Sequence, residues 1–272
     1  LSMLYLKKYN LDKCLKLLKN SLDFFPNNSI ILESIAKVYL IRNNFNLAEK
    51  YLIKLIKFPK EDIKKIIPLA LGYSYQGKEK QYKKICKLFI KNLTRDSSKF
   101  SLNLKKNKLP KISFLSPDIR NHPVGFFIKD MLPELSKRFE VIIFNTSEFE
   151  DEISLYTKKF CRWINLKTKN DYEIADIIYK KNVDVLIDSS GLTRTNNLGV
   201  FKLRPSNNQV SWAGWLASTN LKEMDYVISD NFCTRKKDEK FFTEKILRMK
   251  NIWCTYSLSV LENLNLKKEN NS

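Results

Sequence analysis

The chain has 272 residues, of which 43% are hydrophobic, 12% aromatic and 29% charged: an ordinary globular composition, long enough for two domains with real cores. No apolar run approaches the roughly 18 residues of a membrane span, Leu1-Ser2-Met3-Leu4-Tyr5 is not a secretory leader, and one histidine with five scattered cysteines leaves almost no ligands for a zinc site. The net charge of +20 raises nucleic acid or an anionic membrane as partners. Yet lysines such as Lys7, Lys8, Lys16 and Lys19 sit between apolar positions at helical spacing, as on a solvated helix face, and no basic tail or base-reading motif is present. The expectation is a reduced, cytoplasmic protein with no metal, no cofactor, no membrane contact and no specific nucleic-acid partner.

The first element is a repeat. After Pro26, the residues Leu32, Ile35, Ala36, Tyr39, Asn43, Phe45 and Ala48 follow at the intervals of a pair of antiparallel helices. A step of about 34 residues carries Leu11 to Phe45, Cys14 to Ala48, Ala36 to Ala70, Tyr39 to Tyr73 and Asn43 to Gly77. Small residues return to small positions, as close helix crossing demands. Pro26 and Pro59 fall near helix ends, and Asn27-Asn28-Ser29 offers capping side chains. Residues 1–95 therefore read as one partial and two fuller helical pairs, similar in spacing to tetratricopeptide repeats, which present a surface to a protein partner. The chain lacks an initial Met and opens inside a helix, so it is expected to be part of a longer protein.

Residues 96–110 lose the helical period, turn polar and end at Pro110, and read as a linker. Beyond them the pattern alternates. Strands are expected at 112–116, 141–145, 183–188, 210–212 and 226–229, and helices at 125–137, 152–161 and 172–181. This is an α/β, Rossmann-like lobe over 111–258 with a parallel sheet covered on both faces, followed by a polar tail at 259–272. In such sheets the working loops leave the carboxyl ends of strands. Three do so here: the His122 loop, the Ser189-Ser190-Gly191 loop and the Gly214 loop.

His122 is the only histidine, the side chain suited to proton transfer near neutral pH; position alone leaves a structural and a catalytic role open. Asp118, Arg120 and Asn121 add polar groups to its loop. Asp188-Ser189-Ser190-Gly191-Leu192-Thr193 offers a glycine and three hydroxyls, suited to phosphate or sugar contacts. Neither G-x-G-x-x-G nor G-x-x-x-x-G-K-[ST] occurs.

The run Ile112-Ser113-Phe114-Leu115-Ser116-Pro117-Asp118-Ile119-Arg120-Asn121-His122-Pro123-Val124-Gly125 resembles the opening of the catalytic region of the O-linked N-acetylglucosamine transferase family, with its SPINDLY-like and bacterial tetratricopeptide members. Four further pieces resemble it in order: Val185 to Thr193, Phe201 to Pro205 with Gln209 to Trp212, Met224 to Asp230, and Phe242 to Met249. The resemblance implies a two-lobed GT-B fold with this domain as the amino-terminal half. It implies transfer of a sugar from a nucleotide donor to a protein Ser or Thr, with UDP-N-acetylglucosamine the expected donor and GDP-fucose the one used by some relatives. His122 occupies the family's reaction-centre position, as base or substrate contact. Asp118, Asn121, Pro123, Gly191, Thr193 and Gly214 complete the candidate substrate and donor contacts.

The departures bear on the same site. The family's G-H-T stands here as Gly191-Leu192-Thr193, and its W-L-G-Y-P-G-T-T-G as Trp212-Ala213-Gly214-Trp215-Leu216-Ala217-Ser218-Thr219-Asn220. Ala217 and Asn220 are expected to resist backbone angles that glycine adopts. The family's nucleotide-binding second lobe does not follow within these residues, so the segment alone is expected to be inactive. The alternative reading is a non-catalytic interaction module derived from the family.

Overall fold

A computed structural model describes residues 8–59, 61–93, 100 and 107–255, with Ser2 and Tyr5. Most of the 96–110 segment, and all of 259–272, lie outside the described residues. The chain divides into two compact units, Leu1–Leu93 and Thr94–Ser272.

The first unit is helical: α1 (Leu11–Phe24), α2 (Ser29–Ile41), α3 (Phe45–Leu55), a short 3-10 turn (Ile63–Ile66), α4 (Ile67–Tyr75) and α5 (Glu79–Asn92). Asn10, Asn28 and Asn44 cap α1, α2 and α3 by accepting the amides of Lys13, Ile31 and Leu47. The repeat is visible in the backbone. Tyr9, Asn43 and Gly77 all take a left-handed conformation, with φ of 54°, 55° and 64°. The next amides, of Asn10, Asn44 and Lys78, donate back to the carbonyls of Tyr5, Tyr39 and Tyr73. This is the left-handed helix stop that closes a terminal turn on itself. Asn tolerates that conformation, so Asn43 fills the role for which sequence comparison expects glycine. Gly72 meets the ring of Phe45, where any Cβ would overlap.

The second unit is a seven-stranded, all-parallel sheet in the order β3-β2-β1-β4-β5-β6-β7. Its strands are β1 (Lys111–Ser116), β2 (Glu140–Asn145), β3 (Arg162–Asn165), β4 (Val185–Asp188), β5 (Asn208–Ser211), β6 (Tyr226–Ser229) and β7 (Lys245–Arg248). The helices between them are α6 (Pro123–Lys129), α7 (Leu132–Leu135), α8 (Glu152–Thr157), α9 (Asp171–Lys180) and α10 (Leu198–Lys202). One sheet face buries Phe114, Val141, Ile143, Ile187 and Val210 with Ile128 and Leu132. The alternate residues Leu115, Ile142, Phe144 and Leu186 are buried too. Two-sided burial is what makes these strands unbroken apolar runs, and each such side chain contributes about 1.5–3 kcal/mol. On the α6–α7 side an apolar cavity of about 360 Å³ lies among Phe127, Met131, Trp212, Met249 and Trp253. No helix among the described residues is long and apolar enough to cross a membrane.

Several expected elements differ. The single helix of 125–137 is two, α6 and α7, parted at Asp130-Met131. The helix over 152–161 ends at Thr157 and continues as a 3-10 turn. β3 and β7 were not expected: both are sheet edges, half exposed, and lack the apolar run of an interior strand.

Candidate active site

The sheet order reverses between β1 and β4, which are neighbours although β2 and β3 intervene in sequence. At such a switch point, connections depart to opposite sides and leave a crevice beyond the strands' carboxyl ends. The loops of β1 and β4 carry most of the candidate residues. Leu115 pairs with Asp188, and the Ser189 amide donates to the Leu115 carbonyl at 3.4 Å.

The β1 loop is pinned from below. Asp118 is buried, its amide bonded to Ser116 Oγ at 3.1 Å, and its carboxylate faces the Arg120 guanidinium at 3.4 Å. The Asn121 amide donates to Asp151 Oδ2 at 2.5 Å, and Ser154 Oγ donates to the Ile119 carbonyl at 2.9 Å. Asp151 also caps α8 through the amides of Ile153 and Ser154. Burial pushes its carboxyl up, but these amides outweigh burial and hold it below the usual range. Gly125 permits this packing, since a Cβ there would overlap the Arg120 backbone. His122 precedes α6 in extended conformation, half-buried, and its Nδ1 accepts the Val124 amide at 3.3 Å. Pro123 opens α6 and is exposed, as is Asn121.

The β4 loop is shaped by a buried carboxylate. Asp188 accepts the amides of Ser190 and Gly191, each at 3.0 Å. Its burial raises its pKa to about 6 despite those two bonds. Gly191 is left-handed at φ 57° and lies against Trp215; Gly214 lies against the Ser190 backbone. The structure thus brings Gly191 and Gly214 together. Thr193 is half exposed, its amide donating to the Gly191 carbonyl at 2.9 Å and its hydroxyl 3.5 Å from that of Thr195. Leu192, standing where the family has histidine, is buried. The hydroxyls of Ser189, Ser190 and Ser211 are buried at the ends of β4 and β5 with no hydrogen-bond partner.

The Gly214 loop is held from β7. Glu244, buried, accepts Ser218 Oγ at 2.7 Å, the Thr219 amide at 2.7 Å and Thr219 Oγ1 at 2.5 Å. Asn220 adopts φ 56° and Ala213 φ 69°. The expectation that Asn220 resists glycine's angles is therefore corrected: asparagine is the residue that best tolerates them after glycine. Sequence reading missed Asp151 and Glu244. The Asp151-x-x-Ser154 spacing is a readable helix-start signal; Glu244 falls within the Phe242 to Met249 piece, but its hold on the Gly214 loop has no local signal.

The sequence pattern of glycosyl transferase family 41 matches residues 66–262. A probable UDP-N-acetylglucosamine–peptide N-acetylglucosaminyltransferase, SPINDLY, of Arabidopsis thaliana is 27% identical over 167 residues, covering 58% of this chain and 18% of that protein. A UDP-N-acetylglucosamine–peptide N-acetylglucosaminyltransferase of Caenorhabditis elegans is 25% identical over 146 residues, 51% of this chain and 12% of its own. The chain thus spans less than a fifth of the length of either relative. Among solved structures, a mutant O-GlcNAc transferase from Thermobaculum terrenum superposes with a TM-score of 0.74 at 18% identity, over 93% of this chain and 50% of that one. With a match running from the last helical pair through the whole described sheet, the chain belongs to glycosyl transferase family 41.

Proposed function

We propose that these residues form the repeat array and acceptor-side lobe of a transferase that moves N-acetylglucosamine from UDP-N-acetylglucosamine to protein Ser or Thr hydroxyls. The helical pairs are tetratricopeptide repeats over 1–95 that hold the acceptor protein, and 111–258 is the amino-terminal lobe of a GT-B enzyme. The observation that carries this reading is the switch-point arrangement: the His122-Pro123 loop and the Asp188–Gly191 loop leave neighbouring strands, and Gly214 packs on Ser190. In the proposed reaction the acceptor oxygen bonds to the anomeric carbon as the bond to the diphosphate oxygen breaks, and the hydroxyl proton passes, directly or through solvent, to the departing nucleotide diphosphate. Because Nδ1 of His122 accepts an amide, its neutral ring carries the proton on Nε2. That supports His122 as a hydrogen-bond donor to substrate, with Asp118, Asn121, Pro123, Gly191, Thr193 and Gly214 around it. Fixed donors of this kind act where charge develops in the transition state.

Residues 1–272 alone turn over no donor in this reading, because the nucleotide contacts belong to a second lobe; coverage of 50% of the structural neighbour supports this. The buried Leu192 favours the second reading, a non-catalytic interaction module. The test is incorporation of labelled sugar into acceptor proteins by the longest reading frame containing these residues. Label from UDP-N-acetylglucosamine that is lost in His122→Ala supports the proposal. Label from GDP-fucose alone changes the sugar. No incorporation from either, by folded protein, leaves the interaction module.

A further inference from the structure

The positive charge is not evenly spread. Residues 1–93 hold 19 of the 49 Lys and Arg but only 7 of the 29 Asp and Glu. Within that unit the charge lies on alternate helices. α4 has no charged residue and α2 has only Glu33 and Lys37, whereas α1, α3 and α5 are lysine-rich.

The repeat aligns these lysines. Cys14, Ala48 and Tyr82 form one buried row at the repeat step, and Leu18, Leu52 and Cys86 another. Lys16, Lys50 and Lys84 lie midway between the two rows in sequence, about 200° round the helix from each, and all three are exposed. Lys54 Nζ donates to the Pro26 carbonyl at 2.6 Å, tying α3 to the turn after α1. Lys84 bonds Glu49 across α5 and α3, leaving the Lys84 side chain 66% exposed. α1, α3 and α5 are alternate helices, packed mainly on the helices between them, so a cation recurs once per repeat. The nearby acids are already engaged: Glu49 by Tyr73 and Lys84, and Asp12 by Arg42.

We infer that this lysine face, the row Lys16–Lys50–Lys84 with its flanking lysines, docks an acidic, extended polypeptide segment. Charge complementarity selects an anion, and two features select a peptide over nucleic acid. The unit has one arginine, Arg42, among its 19 Lys and Arg, so the fork that grips phosphate in two places is scarce on it. The exposed aromatics Tyr9, Phe24, Phe25 and Tyr75 lie at helix ends, off the rows, so no platform stacks bases. An extended or polyproline-type chain rises about 3.1–3.3 Å per residue. Successive repeats are several such steps apart, so the fitting segment carries spaced carboxylates, one for each repeat it crosses. The inference stands apart from the transferase reading, since it needs neither donor nor turnover.

The test is fluorescence anisotropy of a labelled peptide with Glu at every third position, titrated with the full 272-residue chain at low and at physiological salt. Saturable binding is expected, weakened by salt. The triple change Lys16→Glu, Lys50→Glu, Lys84→Glu should weaken it by about tenfold or more, the scale of 1.4 kcal/mol. The control triple Lys137→Glu, Lys180→Glu, Lys222→Glu, equal in charge but outside the helical unit, should change it by less than about twofold. Should the first triple lose helical signal, Lys→Gln at the same three positions is read instead. Equal weakening by both triples would reduce the effect to net charge and overturn the inference. So would an absence of saturable binding, or tighter binding of a DNA duplex that depends on the same three lysines.

Discussion

Gly214 and Gly191 lock two loops together reciprocally: Gly214 rests on the backbone of Ser190, and Gly191 rests on Trp215. Each glycine faces the residue adjoining the other. Neither loop can carry a Cβ at its contact point without pushing its neighbour away.

Gly214→Ala and Gly191→Ala should each destabilise the second unit by about 1–3 kcal/mol, as overpacking does. Gly191 carries the further cost of its φ of 57°. Because both changes separate the same two loops, the double variant should lose less than the sum. Urea unfolding of the two singles and the double measures this; strict additivity would show that the loops do not share a contact.

His122→Gln keeps a side-chain N–H donor and His122→Ala does not. If Nε2 serves as a donor, the Gln variant of the full-length protein should retain turnover within about tenfold, while Ala loses about 10²-fold or more. Equal loss in both variants would mark the ring as a proton acceptor.

The buried carboxylate of Asp188 and the half-buried one of Asp151 give opposite pH dependence. Asp188 has its pKa raised from 3.8 to about 6, so the folded state binds the proton more tightly than the unfolded one. Its effect favours the fold below pH 3.8 and is lost as pH rises through about 6, an amount of about 3 kcal/mol. Asp188→Asn should therefore flatten the stability profile between those values in urea titrations. Asp151, held low by three backbone amides, stabilises above the usual carboxylate value and loses that contribution as pH falls through its own. Asp151→Ala should cost about 1–2 kcal/mol, as loss of a helix cap does. It should also speed amide exchange at Asn121; an unchanged Asn121 rate would mean that Asp151 does not hold the histidine loop.

Glu244→Ala leaves the Thr219 amide and the hydroxyls of Ser218 and Thr219 without their acceptor. A penalty of about 1–3 kcal/mol follows for each buried group left unmade. Hydrogen exchange should rise over residues 213–220 first. Rates that rise equally across the sheet would show global loosening instead.

The sequence carried the repeat step and the interior strands because both rest on local periodicity. Cys14, Ala48 and Tyr82 recur on a buried row, and β1, β2 and β4 are apolar on both faces. It did not carry β3 or β7, whose edge positions leave them half exposed, nor the break at Asp130 inside one apolar period. The glycine at position 214 was legible as a motif residue, but its contact with Ser190 was not. Asp151 and Glu244 act on partners 30 and 25 residues away in the chain, a distance no local pattern spans.

The helix stops at Tyr9, Asn43 and Gly77 also make the array editable by heredity. Each stop closes one helix by its own backbone bond, and the next helix of the hairpin begins two residues later, so the stop belongs to the unit and not to the whole. Excising residues 44–77 would join Asn43 to Lys78, again a left-handed residue followed by one whose amide reaches a Tyr carbonyl. Arrays of this kind change stability roughly unit by unit. A lineage can therefore lengthen or shorten the array through simple in-frame duplication or loss, while the sheet beyond it is left untouched.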